Sequence, residues 1–395
     1  MNITPRIPGY RLLHSPGPSR VPDEVQHAMS RQPMDMADLR LDPCIAACEA
    51  GLRRLLHTEV ADVYMYAANG HGAWEATIAN LVAPGQAVLI ASTGHFSESW
   101  AEQTEALGGR VIRTPYVEGL PINPADIEVA LREDVRHEIV AVFVVHTDTA
   151  SSITSDLPAL RAAIDRAAHP ALFVVDVVAS LGAAPFAMDA VRCNVALGAS
   201  QKGLMVPPGL CFVAVDAQAM AVSRRNLTPR FYWDWRLRQS DLSYRKFCGT
   251  PPQTLLMGLE AALGLIFKEG EADVIARHRR IADAVHAAVA CWSEAGALQF
   301  FGQVPASRSV SVTTVLVGAG VDAEAMRTVA RERFQVSIAG GLGPLAGRVF
   351  RIGHLGDTNP AMILGCLAGV EAAMTVQGIA FGPGGLARAV AQLSQ

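Results

Sequence analysis

The chain lacks any block of basic residues. Its 33 Lys and Arg stand against 37 Asp and Glu, a formal net charge of −4 over 395 residues. That near-balance argues against nucleic acid or an anionic membrane as the main partner. No stretch resembles a membrane span, and Met1 to Tyr10 has no apolar core of signal-peptide length. Cysteine is sparse and unpatterned: seven residues, an odd number, at 44, 48, 193, 211, 248, 291 and 366. Only Cys44 and Cys48 lie close, at a spacing that suits one helix face better than a disulfide or a zinc knuckle. The expectation is therefore reduced, mostly buried thiols in a cytoplasmic protein with no metal site. Repeats and low-complexity tracts are also missing. So is a Gly-x-Gly-x-x-Gly after the first strand, which argues against a nicotinamide dehydrogenase.

What is present is apolar mass. Half of the positions are hydrophobic, enough to bury a large core in two domains. Through about residue 215, apolar strand-like runs (63–66, 87–91, 110–114, 139–145, 171–175, 195–197 and 210–215) alternate with helical segments. This pattern predicts an α/β fold with a mostly parallel sheet covered by helices. Residues 1–20 read as an extended arm, 21–255 as a large domain and 256–395 as a smaller C-terminal α/β domain. In the latter, strands are expected near 310–317 and 349–352, and the small-residue tail from Gly382 is expected to pack lightly.

Polar residues fall where these strands end, and that is where open α/β sheets bind ligands. Lys202 follows the run Val195 to Leu197 in Gly198-Ala-Ser-Gln-Lys-Gly203. A partly desolvated lysine there could form a Schiff base; a surface turn is the plain alternative. Asp176 ends the run 171–175. It could hold a pyridinium nitrogen protonated, or serve as a helix cap or metal ligand. A lysine and an acidic residue on successive strand ends are the two parts that a pyridoxal phosphate (PLP) site requires. Asn69-Gly70-His71 leads from a strand into a helix N-terminus, a ready phosphate site. Trp74 and Glu75, just beyond, read as packing and a first-turn acid. Phe96 could stack on a flat ring or fill the core. The cluster 146–152 is polar and could meet a ring hydroxyl. Arg351, alternating with apolar residues, calls for an anionic partner, either a ligand carboxylate or a structural salt bridge; His354 reads as structural. Tyr232, Trp233 and Trp235 could cover a site, form an interface or merely pack.

With those residues in hand, the chain resembles class V, fold-type I PLP aminotransferases, most of all the serine–, alanine– and aspartate–glyoxylate branch. The likeness rests on Ser-Pro-Gly-Pro-Ser at 15–19, Gly-Ala-Trp-Glu-Ala at 72–76, Ser-Gln-Lys-Gly at 200–203 and Gly-Arg-Val-Phe-Arg-Ile-Gly-His-Leu-Gly at 347–356. It implies a large domain with a seven-stranded-type sheet and amino transfer from a small L-amino acid to a 2-oxo acid such as glyoxylate or pyruvate. It also implies roles. Lys202 would bind PLP and shuttle the proton, Asp176 would bind the ring nitrogen, Phe96 would stack, and Thr149 would approach the ring hydroxyl. Asn69, Gly70, His71 and Gln201 would hold the phosphate, with Thr250 reaching across from the other subunit of a homodimer. Arg351, helped by backbone at Gly17, would clamp the substrate carboxylate. Rivals on the same fold are a pyridoxamine–pyruvate-type transaminase and a PLP lyase. Three motifs depart from the family: Asn69-Gly-His-Gly-Ala-Trp-Glu replaces Thr-Gly-Thr-Gly-Gly-Trp-Glu, His146-Thr-Asp-Thr replaces His-Asn-Glu-Thr, and Gly249-Thr-Pro replaces Tyr-Thr-Pro. The last removes a tyrosine near the expected substrate pocket.

Overall fold

The most apolar runs of the sequence lie side by side in the computed structural model, which describes residues 9–395. Strands β2 (Asp62–Tyr66), β3 (Ala87–Ala91), β4 (Arg110–Arg113), β5 (Ile139–Val145), β8 (Leu172–Asp176), β9 (Val195–Ala199) and β10 (Cys211–Val215) form one seven-stranded sheet, following β1 (Leu12–His14) in the chain. Its order is β2-β10-β9-β8-β5-β3-β4. The pairs from β9 through β4 are parallel, whereas β10 runs antiparallel to both of its neighbours. Two reversals cancel, so β2 points the same way as β9 and delivers its end to the same edge. The central strands are buried on both faces, which is why they read as continuous apolar runs and not as alternating ones.

Helices α1 (Asp23–Met29), α2 (Leu41–Leu55), α3 (Gly70–Leu81), α4 (His95–Ala106), α5 (Pro124–Glu133), α6 (Leu157–Ala167) and α7 (Ala217–Arg225) cover the two faces. Between β5 and β8 the chain makes a two-stranded ribbon, β6 (Thr147–Asp148) with β7 (Ile153–Thr154). Cys44 and Cys48 lie one turn apart on the buried face of α2, and all seven cysteines are free.

Past β10 come two short helices, α8 (Trp235–Arg238) and α9 (Ser243–Lys246), then α10 (Gln253–Glu269) and α11 (Glu271–Ser293). Helix α10 sends Leu256, Leu259 and Leu263 into the same core as α2 and the large sheet. The change of core falls within α11: Val274 belongs to the first, Ile281 to that of the second sheet. This sheet has the order β1-β13-β14-β12-β11. Its members after β1 are β11 (Leu298–Phe300), β12 (Val312–Val317), β13 (Val336–Gly340) and β14 (Val349–Gly353). Helices α12 (Ala323–Arg333), α13 (Pro360–Val376) and α14 (Gly385–Leu393) complete it.

Two expectations are corrected. The arm is not merely extended, because residues 12–14 pair in parallel with β13; residues 1–8 lie outside the described ones. Nor is the tail lightly packed. A Cβ at Gly385 would collide with the Trp292 indole, so only glycine lets α14 come this close. Glu371 then accepts from both Trp292 Nε1 and Leu386 N, each at 2.8 Å.

Candidate active site

A cavity of about 300 Å³ opens over the C-terminal edge of the large sheet. It sits near the point where chain order reverses, β3 leading outward to β4 and β5 inward to β8, the usual ligand crevice of such sheets. Gly17, Asn69, Gly70, His71, Phe96, Thr149, Asp176, Gln201 and Lys202 all line it. Asn69 and Lys202, 133 positions apart in the chain, thus share one cavity because every strand of the large sheet but β10 ends on this edge.

Lys202 lies in the turn after β9, with Nζ donating to Pro16 O at 2.5 Å. The arm is strapped over this turn, as Ser19 N donates to Gln201 O at 3.0 Å and Ser19 Oγ to Lys202 O at 2.8 Å. Gly17 takes φ +135°, and a Cβ there would fill the space of the lysine's Cε and Nζ. Burial pushes the amine down to about 8, and the Arg351 charge adds to the effect, against the pull of Asp176 and Asp148. Asp176, at the end of β8, is 4% exposed. Burial pushes its carboxyl up to about 6, opposed by hydrogen bonds from Val178 N and Trp74 and by the Lys202 charge.

On the opposite wall α3 begins. Asn69 caps it, its side chain accepting from Gly72 N at 3.3 Å, and the first turn faces the cavity. The His71 imidazole is pushed down by burial and by His95 nearby, which favours the neutral ring. Phe96, in the first turn of α4, donates its backbone N–H to Asp148 Oδ2 at 2.9 Å.

Arg351 and Thr250 are not part of the cavity wall. Arg351 lies behind it on β14, with Nη1 donating to Thr149 O at 2.9 Å and Nε to Gly340 O at 2.6 Å. Its side chain is buried, yet among the described residues no carboxylate comes within ion-pair distance. Its two backbone acceptors satisfy part of the guanidinium, and the Asp148 charge lies near enough to favour its protonated form. Thr250 is exposed in the loop before α10. Tyr232, Trp233 and Trp235 pack behind α3: Trp233 Nε1 donates to Glu75 Oε1 at 3.0 Å, and its ring lies 5.3 Å from Tyr66. They contribute nothing to the cavity wall. His354 is structural, bonded to Thr313 Oγ1 and Val310 O at 2.9 Å.

The family model for class-V aminotransferases matches residues 12–344. The chain belongs to the class-V aminotransferase family. Serine–glyoxylate aminotransferase of Methylorubrum extorquens is 37% identical to it, over 99% of this chain and 98% of that protein. L-Aspartate–glyoxylate aminotransferase of Paracoccus denitrificans is 36% identical over 92% and 91%. The crystal structure of ureidoglycine–glyoxylate aminotransferase from Bacillus subtilis superimposes with a TM-score of 0.89, at 27% identity, covering 99% of this chain and all of that one. The fold is that of fold-type I PLP enzymes, the protein is a transaminase and its cofactor is PLP.

The class-V cavity fits that cofactor. One amine and one buried carboxylate face into it, as do a helix N-terminus and an aromatic face. Gln201 adds a side-chain oxygen buried without a hydrogen-bond partner among the described residues, a polar amide left for a ligand. Two participants escaped the sequence reading. Trp74, read as packing, donates Nε1–H to Asp176 Oδ2 at 2.7 Å. Asp148 accepts from Phe96 N, from Thr93 Oγ1 at 3.3 Å and from Ala150 N at 2.8 Å, tying the α4 start to the loop that carries Thr149. The motif Gly-Ala-Trp-Glu-Ala placed Trp74 one turn into a site-facing helix, but no local pattern says which way the indole points.

Proposed function

We infer that the protein moves an amino group from a small L-amino acid (serine, alanine or aspartate) to a 2-oxo acid, glyoxylate or pyruvate, in two half-reactions. The carrying observation is that Lys202 and Asp176, from successive parallel strands, face one cavity. The choice of substrates is supported by relatives whose names pair serine or L-aspartate with glyoxylate.

Bound PLP supplies an electron-deficient ring and a reactive aldehyde carbon. The chain's residues do the rest. With its amine down at about 8, Lys202 is neutral in roughly one molecule in ten at pH 7, against fewer than about one in a thousand for an ordinary lysine. It would hold the aldehyde carbon and, once displaced by the donor, would carry the proton between substrate Cα and cofactor C4′. Asp176 holds the ring-nitrogen proton. The first turn of α3, capped by Asn69, presents N–H groups at Gly70 and His71 to the phosphate, with Gln201 beside them. Phe96 would cover one ring face and Thr149 would meet the ring hydroxyl, both lining the cavity. Arg351 fixes the substrate α-carboxylate together with backbone at Gly17.

The reading includes a cytoplasmic homodimer in which Thr250 reaches the partner's phosphate site. Exposed Phe231, Leu242 and Tyr244 on the segment leading to Thr250 support such an interface. So does the exposure of Thr250, which does not line the cavity of its own chain.

The test is the visible spectrum of PLP-loaded protein titrated with L-serine, L-alanine and L-aspartate, then with glyoxylate. Bleaching by one donor and recovery with the oxo acid names the pair. A PLP-loaded protein that ignores all three donors counts against the substrate class, and a protein that never takes up PLP overturns the whole reading.

A further inference from the structure

Asp176 receives one hydrogen bond on each oxygen: Val178 N donates to Oδ1 and Trp74 Nε1 to Oδ2, both at 2.7 Å. Among the described residues Trp74 is its one side-chain donor. We propose that Trp74 is a positioning residue, whose indole N–H keeps the Asp176 carboxylate ionised and aimed into the cavity, and so decides whether the cofactor's ring nitrogen carries a proton. This rests on the PLP reading above.

The geometry over-determines the indole. Trp74 stacks on Trp100 with ring centroids 5.5 Å apart and planes at 9°, and Trp100 stacks in turn on Phe143 at 4.4 Å. His71 closes the other side at 4.5 Å. Held in this column, which runs from the cavity into the core, Nε1 has one direction left, and Asp176 lies there. Trp100 provides an internal contrast. It is equally buried in the same column, but its Nε1 has no partner among the described residues. One indole packs; the other packs and donates.

Charge explains why the donor matters. Besides its two donors, Asp176 faces the Lys202 amine, which favours the carboxylate, and Asp148, which disfavours it; burial disfavours it most. A carboxylate so nearly balanced needs each donor, because a hydrogen bond to a charged group is about twice as strong as a neutral one. When the indole N–H is lost, the pair of ring N–H⁺ and carboxylate gives way to neutral ring nitrogen and carboxylic acid. One proton crosses the hydrogen bond and nothing else changes.

The experiment loads the full chain with PLP labelled with ¹⁵N at the ring nitrogen and records its resonance from pH 6 to 9. Three proteins are compared with wild type: Trp74→Phe, the chain carrying 3-benzothienylalanine at 74, and Trp100→Phe. The benzothienyl ring keeps the indole's shape and stacking and replaces only N–H by sulfur, so a folding defect in Trp74→Phe does not end the test. The proposal expects both changes at 74 to move the resonance toward that of unprotonated pyridine, and kcat to fall about ten-fold or more with KM changed less. Trp100→Phe should leave the resonance where it is. A wild-type resonance in the benzothienyl protein overturns the proposal, whatever Trp100→Phe shows. Failure of wild-type protein to bind PLP would instead strike the underlying reading.

Discussion

Burial makes the charged form of both Lys202 and Asp176 less comfortable, pushing the lysine down to about 8 and the carboxyl up to about 6. Both displacements cost folding energy. For the lysine, the unfolded chain binds the proton more tightly, so at neutral pH the native state is penalised on the order of 2–3 kcal/mol, a cost that fades as pH rises from 8 toward 10.5. Lys202→Met should therefore raise the urea midpoint of the cofactor-free protein at pH 7 with the slope unchanged, while lowering turnover at least about 1,000-fold. An unchanged or lower midpoint would show that the amine is not under strain. His71 follows the same physics in a milder form, its ring biased to neutral by burial and His95. It can then serve an anion as a hydrogen-bond donor more than as a charge.

At the scale of elements, the site depends on where α3 begins. The helix begins at Gly70, so that its first turn forms part of the cavity wall. Asn69 brings this about, because its extended backbone and side-chain acceptor stop the helix one residue before Gly70. Asn69→Ala should cost about 1 kcal/mol of stability and weaken PLP binding several-fold, read by equilibrium dialysis against the wild type. Loss of stability with unchanged PLP affinity would separate the cap from the phosphate site. The small-sheet strands illustrate the opposite case. Leu12–His14 and Leu298–Phe300 are only three residues long, and the first pairs with Val336–Ile338, 324 positions on. Local pattern cannot identify a three-residue strand whose stability comes from a neighbour more than 300 residues away.

Across the whole molecule, burial of histidine sets the acid limit. His146 and His278 are pushed down to about 4 and His286 to about 3, with His354 also well below its ordinary value; burial is the leading cause for all four. Their folded values lie below the unfolded 6.5, so below that pH the unfolded chain binds more protons and stability is lost as pH falls. Asp176 works the other way between about 6 and 3.8, because its folded carboxyl binds the proton more tightly. The four rings outnumber the one opposing carboxyl, so the net effect is a loss of stability as pH falls below 6.5. Urea midpoints should be flat from pH 8 to 7 and drop steeply from 6 to 5; a profile flat down to pH 5 would mean that these rings are not buried neutral. Among the described residues, no helix is long and apolar enough to cross a membrane.

The sequence by itself determined the local chemistry: apolar runs wherever a strand is covered on both faces, a polar residue wherever such a strand ends, and a lysine and an aspartate on two successive ends. Those follow from period, burial and turn composition, all readable within a dozen residues. Only the tertiary structure decided which of those ends meet. The two reversals around β10 bring the start of α3 to the edge where Lys202 waits, and β14 sets Arg351 behind Thr149 with no carboxylate within ion-pair distance among the described residues. The same holds for the indole of Trp74, directed at Asp176 across 102 residues. A side chain's direction is set by what packs against it, and for Trp74 that is Trp100 and His71.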